Sequence, residues 1–393
     1  MGLLDKVTGF TRAKELQAAG LYHYFRVIES AQENTVRIDG REVIMLGSNN
    51  YLGLTNHPKV KESAKAALDK YGTGTTGSRL LNGTLDIHLE LERKLADLVG
   101  KENAIVFSTG MMVNLGVISS LVGRGDTVVI DRTDHASILD GTRLSYGNVK
   151  KYKHNNMESL EQVLNTCDND NILIVIDGVF SMHGDIAKIP EILELAKRFG
   201  AMVMVDDAHG VGVLGQQGRG TSDHFGVTEQ VGAIVGTFSK SLASVGGFVA
   251  ADADVIHYIR HMARSLIFSA SMPPASCASV SAAIDVMLEE DWRLKALWRN
   301  TEVMMDRLND AGFNTGPSQT PIIPVVVGED MMAFQMCHRL FEEGVFVNSV
   351  ISPAVQQGDA LIRLSLMATH TEDEINKAMD IMTSVGRELG VIS

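Results

Sequence analysis

Apolar residues follow two rhythms along most of this chain. Between about residues 58 and 320, short runs that are apolar at nearly every position alternate with longer stretches in which they recur every three to four positions. The runs AIVFS (104–108), TVVID (127–131), ILIVID (172–177), MVMVD (202–206) and AIVGT (233–237) predict strands buried on both faces. ESLEQVLNT and IPEILELAKRFG, which lie between them, read as amphipathic helices, the second closed by Gly200 at its C-cap. Such strands separated by helices predict a mostly parallel sheet covered by helices. The two ends of the chain break the rhythm. Residues 1–30 predict a helix and a connecting segment, and TVRIDGREVIML predicts a hairpin turning at Asp39-Gly40. From about residue 315, PIIPVVV and LIRLSLM predict short strands, and MMAFQMCHRLFEEG and EDEINKAMDIMTSVGREL predict amphipathic helices. The expected architecture is α/β, in three units. They are an N-terminal helix and hairpin segment (1–57), a large α/β domain (58–290) and a smaller C-terminal α+β domain (291–393). No internal repeat interrupts this plan.

Composition narrows the functions on offer. The net charge is −13, from 48 acidic and 35 basic residues, with no block of like charge. Nucleic-acid binding draws most of its affinity from a basic stripe, and none is present. The three cysteines, Cys167, Cys277 and Cys337, stand far apart and match neither a zinc site nor a redox pair. No metal is expected. The first residues, MGLLDKVTGFTRAKEL, have no long apolar core of the kind a secretory signal carries. No run of about 18 apolar residues suggests a membrane span. A cytoplasmic enzyme without integral membrane association is the expectation.

In sheets of this class, ligands bind beyond the carboxyl ends of the strands. Five predicted strands end in polar clusters there: Ser108-Thr109-Gly110, Asp131 to His135, DGVFS (177–181), DDAH (206–209) and TFSK (237–240). Lys240, flanked by Thr237, Ser239 and Ser241, suits a Schiff-base lysine beside phosphate-binding hydroxyls. Asp206 suits a carboxylate that keeps a pyridine nitrogen protonated, and His209 a donor to a ring oxygen. His135 is a flat imidazole able to stack on such a ring. Ser108, Thr109 and Gly110 open a helix whose N–H groups attract phosphate. Taken singly, each has a plain structural reading: a solvated loop lysine, a strand-end aspartate capping a turn, a packing histidine. Their order, each after its own strand, is what points to a single site.

Together these motifs resemble the α-oxoamine synthases, pyridoxal-phosphate enzymes of fold type I. The likeness runs from SNNYLGL (48–54) to RLSLMATHT (363–371). It implies that Lys240 carries pyridoxal 5'-phosphate as an imine, that Asp206 pairs with the pyridine nitrogen, and that His135 stacks on the ring with His209 and Ser181 nearby. It further implies phosphate contacts from Thr109, Gly110, Met111 and Thr237, with Ser269 or Ser271 added by the partner of a homodimer. Arg363 would hold an amino-acid carboxylate, assisted by Asn50. The segment YGTGTTGSRLLNGT (71–84) lacks the GK[ST] ending of a nucleotide loop and resembles instead the family's interface segment bordering the partner's site.

The implied reaction is decarboxylative condensation of an amino acid with an acyl-CoA. GTFSKS, GTGTTGSRLLNGT and FSASMPP lean toward the family's serine palmitoyltransferases, which join L-serine to a long-chain acyl-CoA and release 3-ketodihydrosphingosine, CoA and CO2. NSVISPAVQQG (348–358) leans away, having Ile351 or Ser352 where those enzymes often place an arginine. Glycine with acetyl-CoA, as in 2-amino-3-ketobutyrate CoA ligase, stays open as the alternative substrate pair. An aminotransferase of the same fold is the alternative reaction.

Overall fold

The computed structural model describes residues 2–168 and 171–393. Thirteen strands are formed among them. β1 (Thr35–Ile38) and β2 (Arg41–Met45) make the expected hairpin. Asp39 and Gly40 at its tip have φ of 51° and 71°, the pair of positive values that a tight two-residue hairpin turn requires. β3 (Asn103–Phe107), β4 (Thr127–Asp131), β5 (Asn148–Tyr152), β6 (Ile172–Asp177), β7 (Met202–Asp206), β8 (Ala233–Thr237) and β9 (Gly247–Ala251) form one sheet in the order β3-β9-β8-β7-β6-β4-β5. β9 pairs antiparallel with both of its neighbours, and the other six strands share one direction.

Alternate residues of these strands pack on opposite faces, as the two-residue period of a strand demands. Val129, Ile174, Ile176 and Val205 belong to one apolar layer, and Val128, Ile130, Val175 and Met204 to the other. Helices cover both faces, so nearly every strand position is apolar. Two strands of this sheet escaped the sequence reading. β5 (NVKKY) is an edge strand with two lysines, and β9 (GFVAA) is buried throughout but carries a glycine and two alanines, which favour strands weakly.

β10 (Ile322–Gly328), β12 (Asn348–Val350) and β13 (Ala360–Ser365) form a second, antiparallel sheet with β13 in the centre, while β11 (Val345–Phe346) extends the N-terminal hairpin. The central position buries β13 completely and fixes Arg363 between Pro324 and Asn348. The single helix expected within residues 1–30 is two short ones, Leu3–Thr8 and Arg12–Ala18, because Gly9 closes the first through its N–H to the Asp5 carbonyl. No helix of the described residues is long and apolar enough to cross a membrane.

Candidate active site

The carboxyl ends of β3, β4, β6, β7 and β8 converge on a cavity of about 330 Å³. Thr109, Gly110, Met111, His135, Ser181, Asp206, His209, Thr237 and Lys240 all line it, drawn from five separate loops. Adjacent parallel strands place these ends side by side: Asp177 stands opposite Asp206 in the β6–β7 register.

Asp206 lies at the foot of the cavity and is almost fully buried. Its Oδ2 accepts a 2.6 Å hydrogen bond from Asn114 Nδ2, and its Oδ1 accepts one from the Ala208 N–H at 3.1 Å. Asn114 also donates to Ser137 Oγ at 2.8 Å. The Ser137 hydroxyl stands 2.7 Å from His135 Nδ1, and the Ser137 N–H donates to the same nitrogen. Nδ1 is therefore an acceptor, which puts the ring proton on Nε2. Burial pulls the His135 pKa down, opposed by Asp206 and assisted by Lys240, so the imidazole stays neutral. Asn114 and Ser137 were not singled out from sequence; an asparagine inside the apolar helix Gly110–Leu121 was the available sign.

At the other end of the cavity the helix Gly110–Leu121 begins. Thr109 caps it by accepting from the Met112 N–H. A Cβ on Gly110 would sit 2.6 Å from Thr237 Oγ1, so only glycine lets the helix start press against β8. Free N–H groups of a helix start beside a threonine hydroxyl fit a phosphate. A carboxylate at one end, a neutral imidazole at the side and an anion cradle at the other end match the shape and polarity of pyridoxal phosphate. The half-buried Lys240 lies between them. Burial lowers its pKa to about 8, against the attraction of Asp206 and with the help of Arg363.

His209 is buried, and its Nδ1 pairs with the Tyr51 hydroxyl at 2.7 Å. Burial first, then Lys240 and Arg363, hold its pKa well below the usual histidine range. Arg363 is buried too. Its Nε donates to the Ser181 carbonyl at 2.6 Å, and its Nη1 donates to Asn49 Oδ1 at 3.0 Å and Ser365 Oγ at 2.8 Å. No ion pair among the described residues includes it. Asn50, expected beside Arg363, points elsewhere: its amide donates to Thr55 Oγ1 and its carbonyl accepts from the Leu54 N–H. Asn49 takes that place, because the turn at 49–53 uses the Asn50 side chain to close itself. Ser269 and Ser271 lie outside this cavity. The Ser271 N–H donates to the Gly77 carbonyl, and its hydroxyl is 2.6 Å from Thr75 Oγ1, so it packs on the glycine-rich 71–84 segment.

Comparisons with known proteins agree with this arrangement. A family profile described as aminotransferase class I and II matches residues 41–382. A serine palmitoyltransferase from Sphingobacterium spiritivorum is 51% identical over 392 residues, covering 100% of this chain and 98% of the relative. One from Bacteroides ovatus is 49% identical, with 100% of both chains covered. Among solved structures, a serine palmitoyltransferase from S. paucimobilis with a bound PLP–myriocin aldimine superposes with a TM-score of 0.97 at 37% identity, covering 100% of both chains. The chain belongs to the class I and II aminotransferase family, as a pyridoxal-phosphate-dependent acyltransferase of its α-oxoamine synthase branch.

Proposed function

We propose that the chain condenses L-serine with a long-chain acyl-CoA, giving 3-ketodihydrosphingosine, CoA and CO2. The observation that carries the amino-acid half is Arg363: a buried guanidinium whose hydrogen bonds all go to uncharged oxygens. A buried cation without an acid partner is costly, and a substrate carboxylate relieves that cost. The acyl half is supported by the full-length likeness to serine palmitoyltransferases.

Pyridoxal phosphate, when bound, supplies an aldehyde for amines and an electron-poor ring that accepts the electrons of a broken Cα bond. The chain's residues do the rest. Thr109, Gly110, Met111 and Thr237 would hold its phosphate, joined by Ser269 or Ser271 from the partner of a homodimer. Asp206, fixed by Asn114, would keep a proton on the pyridine nitrogen. His135 would lie against the ring, and His209 would donate to the ring oxygen. With a pKa of about 8, Lys240 is neutral in roughly one molecule in ten at pH 7. In that form its amine would be able to carry the aldehyde and to serve as the base for a substrate Cα proton. Arg363 would grip the carboxylate and set the breaking bonds across the ring plane. Ser181, in the cavity wall, would lie near the ring and the substrate.

Two further readings belong to this proposal: the division of the chain at residues 57 and 290, and a cytoplasmic location, tested by which fraction of lysed cells holds the activity. The substrate test follows thiol release while L-serine, glycine and L-alanine are offered with acyl-CoAs of several lengths. Preference for L-serine with long chains is expected. Preference for glycine with acetyl-CoA would overturn the substrate pair, and amino-group transfer without thiol release would overturn the reaction.

A further inference from the structure

His154 takes no part in the chemistry just described. It follows β5 and reaches between the ends of two other strands. Its Nδ1 lies 3.2 Å from Asp131 Oδ1, at the end of β4, and 2.7 Å from the Thr133 hydroxyl. Its Nε2 lies 3.0 Å from Asp185 Oδ2, beyond β6. The ring stands edge-on to Phe180, centroids 4.4 Å apart at 87°, with His183 on its flank. Both acid side chains are buried, at 0% and 8% exposure. Carboxylates at both nitrogens require both to carry protons. Burial alone lowers the pKa, but the hydrogen bonds to Asp131 and Asp185 overcome it and carry the ring up to about 9.

Asp185 belongs to a tight turn. Val179 and Ile186 face each other as an isolated bridge, Phe180 N–H donates to the Asp185 carbonyl at 3.0 Å, and Gly184 N–H donates to the Phe180 carbonyl. On one side the turn is held by His154 and by Asn155, whose amide donates to the Ile186 carbonyl. On the other side the Gly184 carbonyl accepts from the Gln319 N–H and the Thr320 hydroxyl. Gly184 has φ +70°, and a Cβ there would run into the Ile322 carbonyl. The turn also contains Ser181, whose carbonyl holds Arg363 Nε at 2.6 Å.

We propose that His154 is a positioning residue for the amino-acid substrate: tied to Asp131 and Asp185, it fixes the 179–186 turn and thereby, through the Ser181 carbonyl, the aim of Arg363. This rests on the carboxylate-binding reading of Arg363. The two ends of the tie are unequal. Without His154, Asp131 keeps the Thr133 N–H, the Thr133 hydroxyl and the Asn155 N–H. Asp185 keeps only the Asn155 amide at 3.3 Å, and its Oδ1 already lacks a partner. Loss of the imidazole therefore loosens the turn and leaves the sheet intact. The groups facing His154 are Asp131, Asp185, Thr133 and His183, with Asp359 beyond His183. Because the folded pKa is raised, the tie is complete below pH 6.5 and is lost as pH rises through about 9.

The test compares wild type with His154→Leu, His154→Gln and Asp185→Asn. In the leucine variant the KM for L-serine should rise about tenfold, with kcat within about threefold and cofactor absorbance retained. Glutamine, able to donate one of the two bonds, should fall between. Asp185→Asn added to His154→Leu should add little, because the two act as one link. In cofactor-free protein, hydrogen exchange should quicken at 179–186 and stay slow at 202–206. Wild-type protection factors at 179–186 should also fall as pH passes about 9, which tests the idea even where the leucine variant does not fold. Unchanged KM with unchanged exchange would overturn the proposal, as would equal loss of protection at 202–206. Failure of wild type to turn over L-serine would sink the substrate reading instead and leave the exchange result standing.

Discussion

Asn114 controls what Asp206 can do. Removing its amide leaves Asp206 Oδ2 buried without a donor and frees the hydroxyl that orients His135. A lost hydrogen bond to a charged group costs about 1.5–3 kcal/mol. Asn114→Leu should accordingly weaken pyridoxal phosphate binding roughly 10- to 100-fold, read by titrating cofactor-free protein at the cofactor's absorbance. Arg363→Lys should raise the KM for L-serine at least tenfold, since an ammonium cannot reproduce the fork that meets Ser181, Asn49 and Ser365 at once. Lys240 reacts only when neutral. Its lowered pKa means that covalent capture of pyridoxal phosphate by cofactor-free protein should speed up with pH and level off above about pH 8, not near 10.5. A stopped-flow pH series checks this. At this scale the sequence showed residues that stand directly after apolar runs, because position along the chain implies position in the site. It hid residues that act through others. Asn114 lies mid-helix, His154 lies in a polar stretch, and nothing in SNNYLGL distinguishes Asn49 from Asn50 until the turn forms.

Elements were legible where burial dictates pattern. All five strands with continuous apolar runs are present within a residue of their expected bounds, because both faces of the central sheet are covered. β5 and β9 were missed for different reasons. β5 is at the edge with lysines toward solvent, whereas β9 is apolar and buried but opens on Gly247, where neighbouring backbone leaves no room for a Cβ, and ends on two alanines, residues that favour strands weakly. The close approach of helix Gly110–Leu121 to β8 is an element-scale property, and Gly110→Ala tests it. The added methyl meets Thr237 Oγ1 at 2.6 Å and Thr237 Cβ at 2.8 Å. Overpacking of that kind costs about 1–3 kcal/mol. Thermal unfolding should come earlier, and phosphate should compete less well for the cofactor-free site.

For the whole molecule, Leu81 and Phe268 remain 78% and 72% exposed, on the two segments joined by the Ser78–Ala270 bridge. Large apolar side chains left open together mark an association surface. This supports the shared-site homodimer of the proposed function. Leu81→Asp with Phe268→Asp should shift the protein toward monomer in sedimentation velocity and lower cofactor retention on dialysis; an unaltered dimer would place the interface elsewhere. The site's membership carries one more consequence. Its residues run from Asn49 and Tyr51 to Arg363 in the penultimate element of the chain. The cavity's cofactor-facing groups lie between Thr109 and Lys240, so on a ribosome all of them emerge before Arg363 does. A nascent chain stalled before β13 should therefore be able to take up the vitamin and colour, yet have no guanidinium to receive an amino acid's carboxylate.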